Sequence, residues 1–170
     1  PAGRRLGRSF EGLDQAAGQP GRNGRGHGQG CGGQVIGLDT NVLVRFLVQD
    51  DPVQANLATA LISGLTAANP GFVCREVLVE LVWVLERAYG LSRSDIARAM
   101  DGLLEAQELV IETADRVAVA VDRYRKGGAG FADQMVALAG QGAGCSETVS
   151  FDRKAATLPG MRLLGTVSDH

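Results

Sequence analysis

The chain has 170 residues, of which 45% are apolar, enough for one domain with a real core and too few for several. No apolar run approaches the roughly eighteen residues of a membrane span, and no apolar segment near Pro1 marks a secretory signal, so a cytoplasmic protein is expected. The net charge of −2 hides a basic start and an acidic body, which excludes a broadly basic nucleic-acid binder.

Residues 1–34 carry eleven glycines and five arginines against Glu11 and Asp14. A glycine-rich stretch without apolar periodicity does not repay the entropy of ordering it. It is expected to be a disordered tail, vector-derived or an over-extended gene start, with the folded domain over 35–170. Cys31, Cys74 and Cys145 form no CxxC pair and no zinc pattern with His27 and His170, which fits a reducing compartment.

The first expected element is a strand of Val35, Ile36 and Leu38, stopped by Asp39-Thr40-Asn41. Val42 to Val48 reads as a short helix or turn. Asp51 and Pro52 then cap and open a helix running to about Ala67. Phe72 to Cys74 is a second strand, and residues 76–89 are a helix closed by Gly90. Ser92 and Asp95 form a capping box for a helix to about Ala106. Leu109 to Ile111 is a strand, Asp115 caps a helix through Lys126, and Gly127-Gly128 ends it. Phe131 to Gln141 is a further helix. Thr148 to Phe151 is a strand leading into Asp152, followed by a short helix at Arg153 to Ala156 and a last strand at Met161 to Leu164. Short apolar strands alternating with helices indicate a parallel α/β sheet covered on both faces. Ligands of such sheets bind beyond the carboxyl ends of the strands.

Four acids occupy positions with chemical meaning. Asp39 follows the first strand directly, although a helix cap explains it equally well. Glu80 is the sole polar residue among Val77 to Leu85, a run that reads as buried. A carboxylate there needs a metal, an arginine or a narrow exposed stripe shared with Glu76 and Trp83. Asp133 lies in the first turn of a helix, where the helix field favours an acid in any case. Asp152 ends the penultimate strand, again at the ligand end. Four carboxylates sharing a pocket would repel one another without a cation, and hard oxygen ligands suit Mg²⁺ or Mn²⁺.

The segments Ile36-Gly37-Leu38-Asp39-Thr40-Asn41-Val42-Leu43, Glu76 to Leu85, Gly130 to Ala137 and Thr148 to Lys154, in that order and spacing, resemble the PIN-domain ribonucleases, in particular the toxins of VapBC toxin–antitoxin pairs. The resemblance implies a three-layer α/β/α fold with a parallel sheet of about five strands in the order 3-2-1-4-5. It implies a Mg²⁺- or Mn²⁺-dependent endoribonuclease cutting structured RNA, often transfer RNA. The implied assembly is a homodimer, with a VapB-like antitoxin wrapping the toxin and blocking the site. Its acids carry over to Asp39, Glu80, Asp133 and Asp152, as metal ligands and catalytic groups. Members of the family often have a polar residue where this chain has Gly130, a departure that is expected to loosen the setting of Asp133.

Asn41 and Ser150 are candidates to tune the acids, and Arg45, Arg75, Arg153 and Lys154 are candidates to meet RNA phosphates, with a plain surface charge as the simpler reading of each. The apolar stretches 42–48 and 77–85 either pack internally or receive an antitoxin helix. Two other functions fit parts of the pattern. One is a PIN-like domain that binds RNA or protein without cutting. The other is an aspartate-nucleophile phosphatase using Asp39, which lacks the second aspartate of the usual DxD arrangement because Asn41 stands there.

Overall fold

The computed structural model describes residues 34–165. The expected tail therefore lies, as far as residue 33, outside the described residues. Gln34 already belongs to the fold, its backbone N–H donating to Asn69 Oδ1 at 2.9 Å. Among the described residues no helix is long and apolar enough to cross a membrane.

Strand β1 (Ile36–Gly37) leads through Leu38 and Asp39 into helix α1 (Thr40–Val48). Thr40, Leu43, Val44, Phe46 and Leu47 are buried, the one-face spacing of an amphipathic helix. Helix α2 (Pro52–Ser63) begins as its sequence dictates, with the Asp51 carboxylate accepting the Val53 and Gln54 N–H groups at 3.0 Å each. It stops at Gly64 rather than near Ala67, because Thr66 and Asn69 turn the chain by exchanging backbone hydrogen bonds of 3.2 and 3.0 Å. Strand β2 (Gly71–Val73) starts where the backbone passes closest to its neighbours. A Cβ on Gly71 would meet Leu65 at 2.8 Å and Leu38 at 2.9 Å, so only glycine fits without displacing them.

Helix α3 (Arg75–Arg87) and helix α4 (Arg93–Glu105) follow. At the start of α4, Ser92 Oγ accepts the Asp95 N–H at 3.1 Å and donates its own proton to the Asp95 carboxylate. Strand β3 (Leu109–Ile111) precedes helix α5 (Ala114–Arg125). The expected cap of α5, Asp115, sits instead in its first turn. Thr113 holds the cap position in the left-handed region at φ 53°, with no side-chain capping hydrogen bond. Helix α6 (Phe131–Gly142), strand β4 (Thr148–Ser150), a 3₁₀ turn (Ala155–Thr157) and strand β5 (Met161–Leu163) complete the described chain.

The strands form two small parallel sheets in an α/β/α arrangement, not one sheet in the order 3-2-1-4-5. One sheet runs β1-β2-β3, with Ile36 opposite Gly71 and Phe72 opposite Val110; the other pairs β4 with β5, with Val149 opposite Arg162. The neighbours expected on either side of the break are present; the missing link is a ladder between β1 and β4. The length of β1 gives the reason. β1 is two residues long, the N–H groups of Ile36 and Leu38 bond Pro70 and Phe72 on the β2 side, and the chain turns helical at Thr40, which leaves a very short edge toward β4.

The core lies between α1, α3, α4, α5 and the three-stranded sheet, and includes Leu43, Leu47, Val73, Leu81, Leu85, Ile96 and Val121. In α3 the buried residues are Leu78, Leu81, Val82 and Leu85, spaced i, i+3, i+4 and i+7. The apolar run 77–85 is therefore a helix with one inward stripe. Its outward side carries Glu76, Glu80 and a Trp83 that is 60% exposed.

Candidate active site

Asp39, Asp133 and Asp152 sit at the ends of elements, and Glu80 lies in the middle of α3. Asp39 holds the cap position of α1 in extended backbone, yet its side chain accepts no capping hydrogen bond, and it is exposed. Its carboxylate is therefore not spent on the helix, as the simpler reading of this residue required. The next residue, Thr40, is buried, and its hydroxyl donates to Glu80 Oε2 at 2.6 Å. That bond ties the start of α1 to the middle of α3 and leaves the other Glu80 oxygen open. Of the three explanations for a carboxylate within Val77 to Leu85, an exposed stripe is the one found, with neither an arginine nor a lysine paired to it among the described residues.

Asp133 is half-buried in the first turn of α6. One of its oxygens accepts the Gly130 N–H at 2.9 Å. Gly130 itself has φ −69°, a conformation open to any residue, but a Cβ there would press on Asp133 Oδ2 at 3.2 Å. The glycine thus leaves room for the carboxylate. Asp152 is exposed beyond β4 and one oxygen, Oδ1, accepts the Lys154 and Ala155 N–H groups at 2.6 and 3.2 Å. Ser150 accepts the Asp152 N–H at 3.0 Å, while Asn41 is exposed in the first turn of α1.

Glu80 and the Gly130–Ala132 start of α6 line one cleft, of about 630 Å³, between α3, α6 and the beginning of α5. Its floor and walls are largely apolar, from Val79, Val82, Phe131 and Met135, and its rim carries Trp83 and a Val136 that is 52% exposed. Arg75, Arg87 and Arg116 are its cations and Glu76 and Glu86 its further acids. Arg75 is engaged with Glu76 at 2.9 Å, and this hydrogen bond holds the Glu76 carboxyl below its ordinary range. Sequence reasoning did not single out Glu86, Arg87, Thr113 or Arg116. For Arg87 the signal is the i, i+4, i+7, i+11 spacing of 76, 80, 83 and 87 along α3; Glu86 lies off that series, and Thr113 and Arg116 come from another part of the chain.

Of the basic residues considered for RNA, Arg45 is committed elsewhere. It donates to Asp50 at 2.7 Å, to Gln54 at 2.7 Å and to the Tyr89 hydroxyl at 3.2 Å, closing the turn between α1 and α2 onto the end of α3. Arg153 and Lys154 are exposed next to Asp152.

As a test of fit to a dication, the donor chemistry is suitable: four carboxylates, each with oxygen lone pairs free of a cationic partner among the described residues. The closure is not complete, since among the described residues no group of three or more acidic, histidine or cysteine side chains stands within joint reach of one ion.

Two comparisons bear on this geometry. The sequence matches the PIN domain over residues 36–160. A VapC ribonuclease of Aquifex aeolicus (strain VF5) is 28% identical over 117 residues, an overlap of 69% of this chain and 87% of that protein.

Proposed function

Because the chain belongs to the PIN-domain family, we propose that it is a Mg²⁺- or Mn²⁺-dependent endoribonuclease acting as the toxin of a toxin–antitoxin pair, with Asp39, Glu80, Asp133 and Asp152 as its acidic groups. The observation that carries this reading is the Thr40–Glu80 hydrogen bond of 2.6 Å. It ties Glu80, in the middle of α3, to the residue that follows Asp39, whose own carboxylate is exposed and has no capping role.

When bound, a divalent ion supplies neutralising charge at the phosphoryl oxygens and lowers the pKa of water. The chain's own groups do the rest. Thr40 holds Glu80 through one oxygen, so the other is oriented to accept a proton from an attacking water. The Gly130 N–H holds Asp133 in the same way through Oδ2. Arg153 and Lys154, exposed beside Asp152, meet substrate phosphates, where Lys is a point charge and Arg a bidentate donor. Structured RNA, including transfer RNA, is the substrate class. The apolar cleft with Trp83 and Val136 at its rim suits the apolar face of a VapB-like antitoxin helix, and the active unit is a homodimer.

Cleavage of a structured RNA in Mn²⁺ by the full chain and by Asp39→Asn tests the nuclease reading. The expected outcome is a loss of at least about a hundredfold in Asp39→Asn, beyond the scale lost when only a ligand's support is removed, with an unchanged melting temperature. Equal cleavage by both proteins refutes it. Inhibition of that cleavage by a VapB-like antitoxin tests the toxin assignment separately.

A second reading, a PIN domain that binds without cutting, draws on the incomplete closure of the acidic cluster. It predicts RNA binding with no Mn²⁺-dependent products from either protein.

A further inference from the structure

Arg93 stands at the first position of α4, where the positive end of the helix dipole disfavours a cation. Its guanidinium is turned away from its own helix toward the end of α5. There it donates to the Tyr124 carbonyl at 3.3 Å, to Ala129 at 3.2 Å and to Gly128 at 3.1 Å. It also lies over the Tyr124 ring, 4.7 Å from the centroid. A cation at the carboxyl end of α5 is favourable, and three carbonyls shared by the two ends of one guanidinium use the multiple donors that distinguish arginine from lysine.

The segment so gripped has little else to hold it. Gly127 and Gly128 are both left-handed, at φ 98° and 83°, and carry no side chains to pack. Ala129 is the one buried anchor among them. This loop delivers the chain to Gly130, whose N–H sets the Asp133 carboxylate. Tyr124 extends the same link. Its ring meets Phe131, the first residue of α6, edge-on at 6.0 Å, and its hydroxyl donates to Glu86 on α3 at 2.5 Å. Burial and that bond push the phenol well above its ordinary pKa, so the donor stays protonated.

We propose that Arg93 is a positioning residue of the acidic site: by clamping Tyr124 and the 128–129 carbonyls it fixes the first turn of α6, and with it the direction of Asp133 relative to the helix that carries Glu80. The proposal rests on the nuclease reading for its consequence in catalysis, but not for its mechanical content.

Arg93→Met keeps the aliphatic stem and removes the fork; Arg93→Lys keeps the charge. The amides of Gly127, Gly130 and Gln134, which are hydrogen-bonded within this turn, report on the clamp by hydrogen exchange. In Arg93→Met their exchange is expected to rise about tenfold while core amides such as Leu85 hold. RNA cleavage in Mn²⁺ is expected to show kcat lowered about tenfold or more, within the range a small misplacement causes, with KM unchanged. Arg93→Lys is expected to recover part of both effects. If Arg93→Met does not fold, Arg93→Lys carries the test alone, since one ammonium cannot span all three carbonyls. Unchanged exchange at the three amides overturns the proposal, as does a rise spread evenly over the chain with activity following the melting temperature. If the wild-type chain cuts no RNA, the nuclease reading fails, and the exchange result still decides whether Arg93 holds the turn.

Discussion

The body from β1 to α6 and the C-terminal unit from β4 to β5 contribute to the same proposed chemistry but are built to different standards. The body buries Leu43, Leu47, Leu81, Leu85, Ile96 and their neighbours in one continuous cluster. The unit from 148 to 163 buries one residue, Ala155, at 1% exposure, and leaves Val149 and Phe151 in the open. Asp39, Glu80 and Asp133 ride on the first kind of structure and Asp152 on the second. The difference teaches that an acid's reach is set by what lies beneath it. Glu80 is fixed by a threonine buried in the core, Asp133 by a loop clamped from α4. Asp152 is fixed only within its own turn, by the two N–H groups it caps.

The largest effect expected from this contrast is in the body. Leu85 is fully buried on the inner stripe of α3. Leu85→Ala is expected to cost about 3 kcal/mol, the range for leucine deletion in a close-packed core. Urea unfolding with an unchanged slope checks it. A cost under about 1 kcal/mol would mean that the body is as loosely packed as the C-terminal unit.

A smaller contrast lies in the ion pairs. Asp50 binds the Tyr89 hydroxyl and Arg45, and these bonds hold its carboxyl below the ordinary range. A depressed folded pKa contributes stability that is present above the unfolded carboxyl value of about 4 and is lost as the pH falls through the folded value. Asp50→Asn should therefore lower the melting temperature at pH 7, and the gap to wild type should close in acid. Glu147, held low by Arg162 alone, is more exposed and precedes β4 of the C-terminal unit. Glu147→Gln is expected to leave the pH profile of melting nearly unchanged, as exposed pairs do. Equal profiles for the two variants would erase the distinction between the regions.

Much of the body was legible because its signals are local. Asp51 with Pro52, and Ser92 with Asp95, mark helix starts through groups only two or three residues away. The spacing 78, 81, 82, 85 gives the inner face of α3. That same spacing leaves 76, 80 and 83 outward, the exposed stripe that was one of the three explanations for Glu80. The gap between β1 and β4 was not legible. It depends on how many residues β1 can spare for a second partner, and this is decided by where α1 begins rather than by the apolar character of either strand. Nor was the clamp on Asp133: Arg93 is adjacent in sequence to neither Tyr124 nor Gly128, and an arginine at a helix start reads only as a mild misfit.

The smallest effect is the most discriminating. Phe151 precedes Asp152 and is 78% exposed, so an aromatic ring lies in water beside a proposed catalytic acid. If the C-terminal unit stands in solution as it does here, Phe151→Ser removes almost no buried area, and the change in stability is expected to stay within about 0.5 kcal/mol. Amides of β4 are expected to exchange far faster than those of α3 in both proteins, because few apolar contacts oppose local opening. A loss above about 1 kcal/mol in Phe151→Ser would require that the ring be covered. Dilution then separates the possible covers: a cost that fades as the protein is diluted belongs to an interface between copies, and one that does not belongs within the chain. In either case the ring would supply Asp152 with the support that the isolated chain withholds, and the contrast between the two regions would describe the single chain alone.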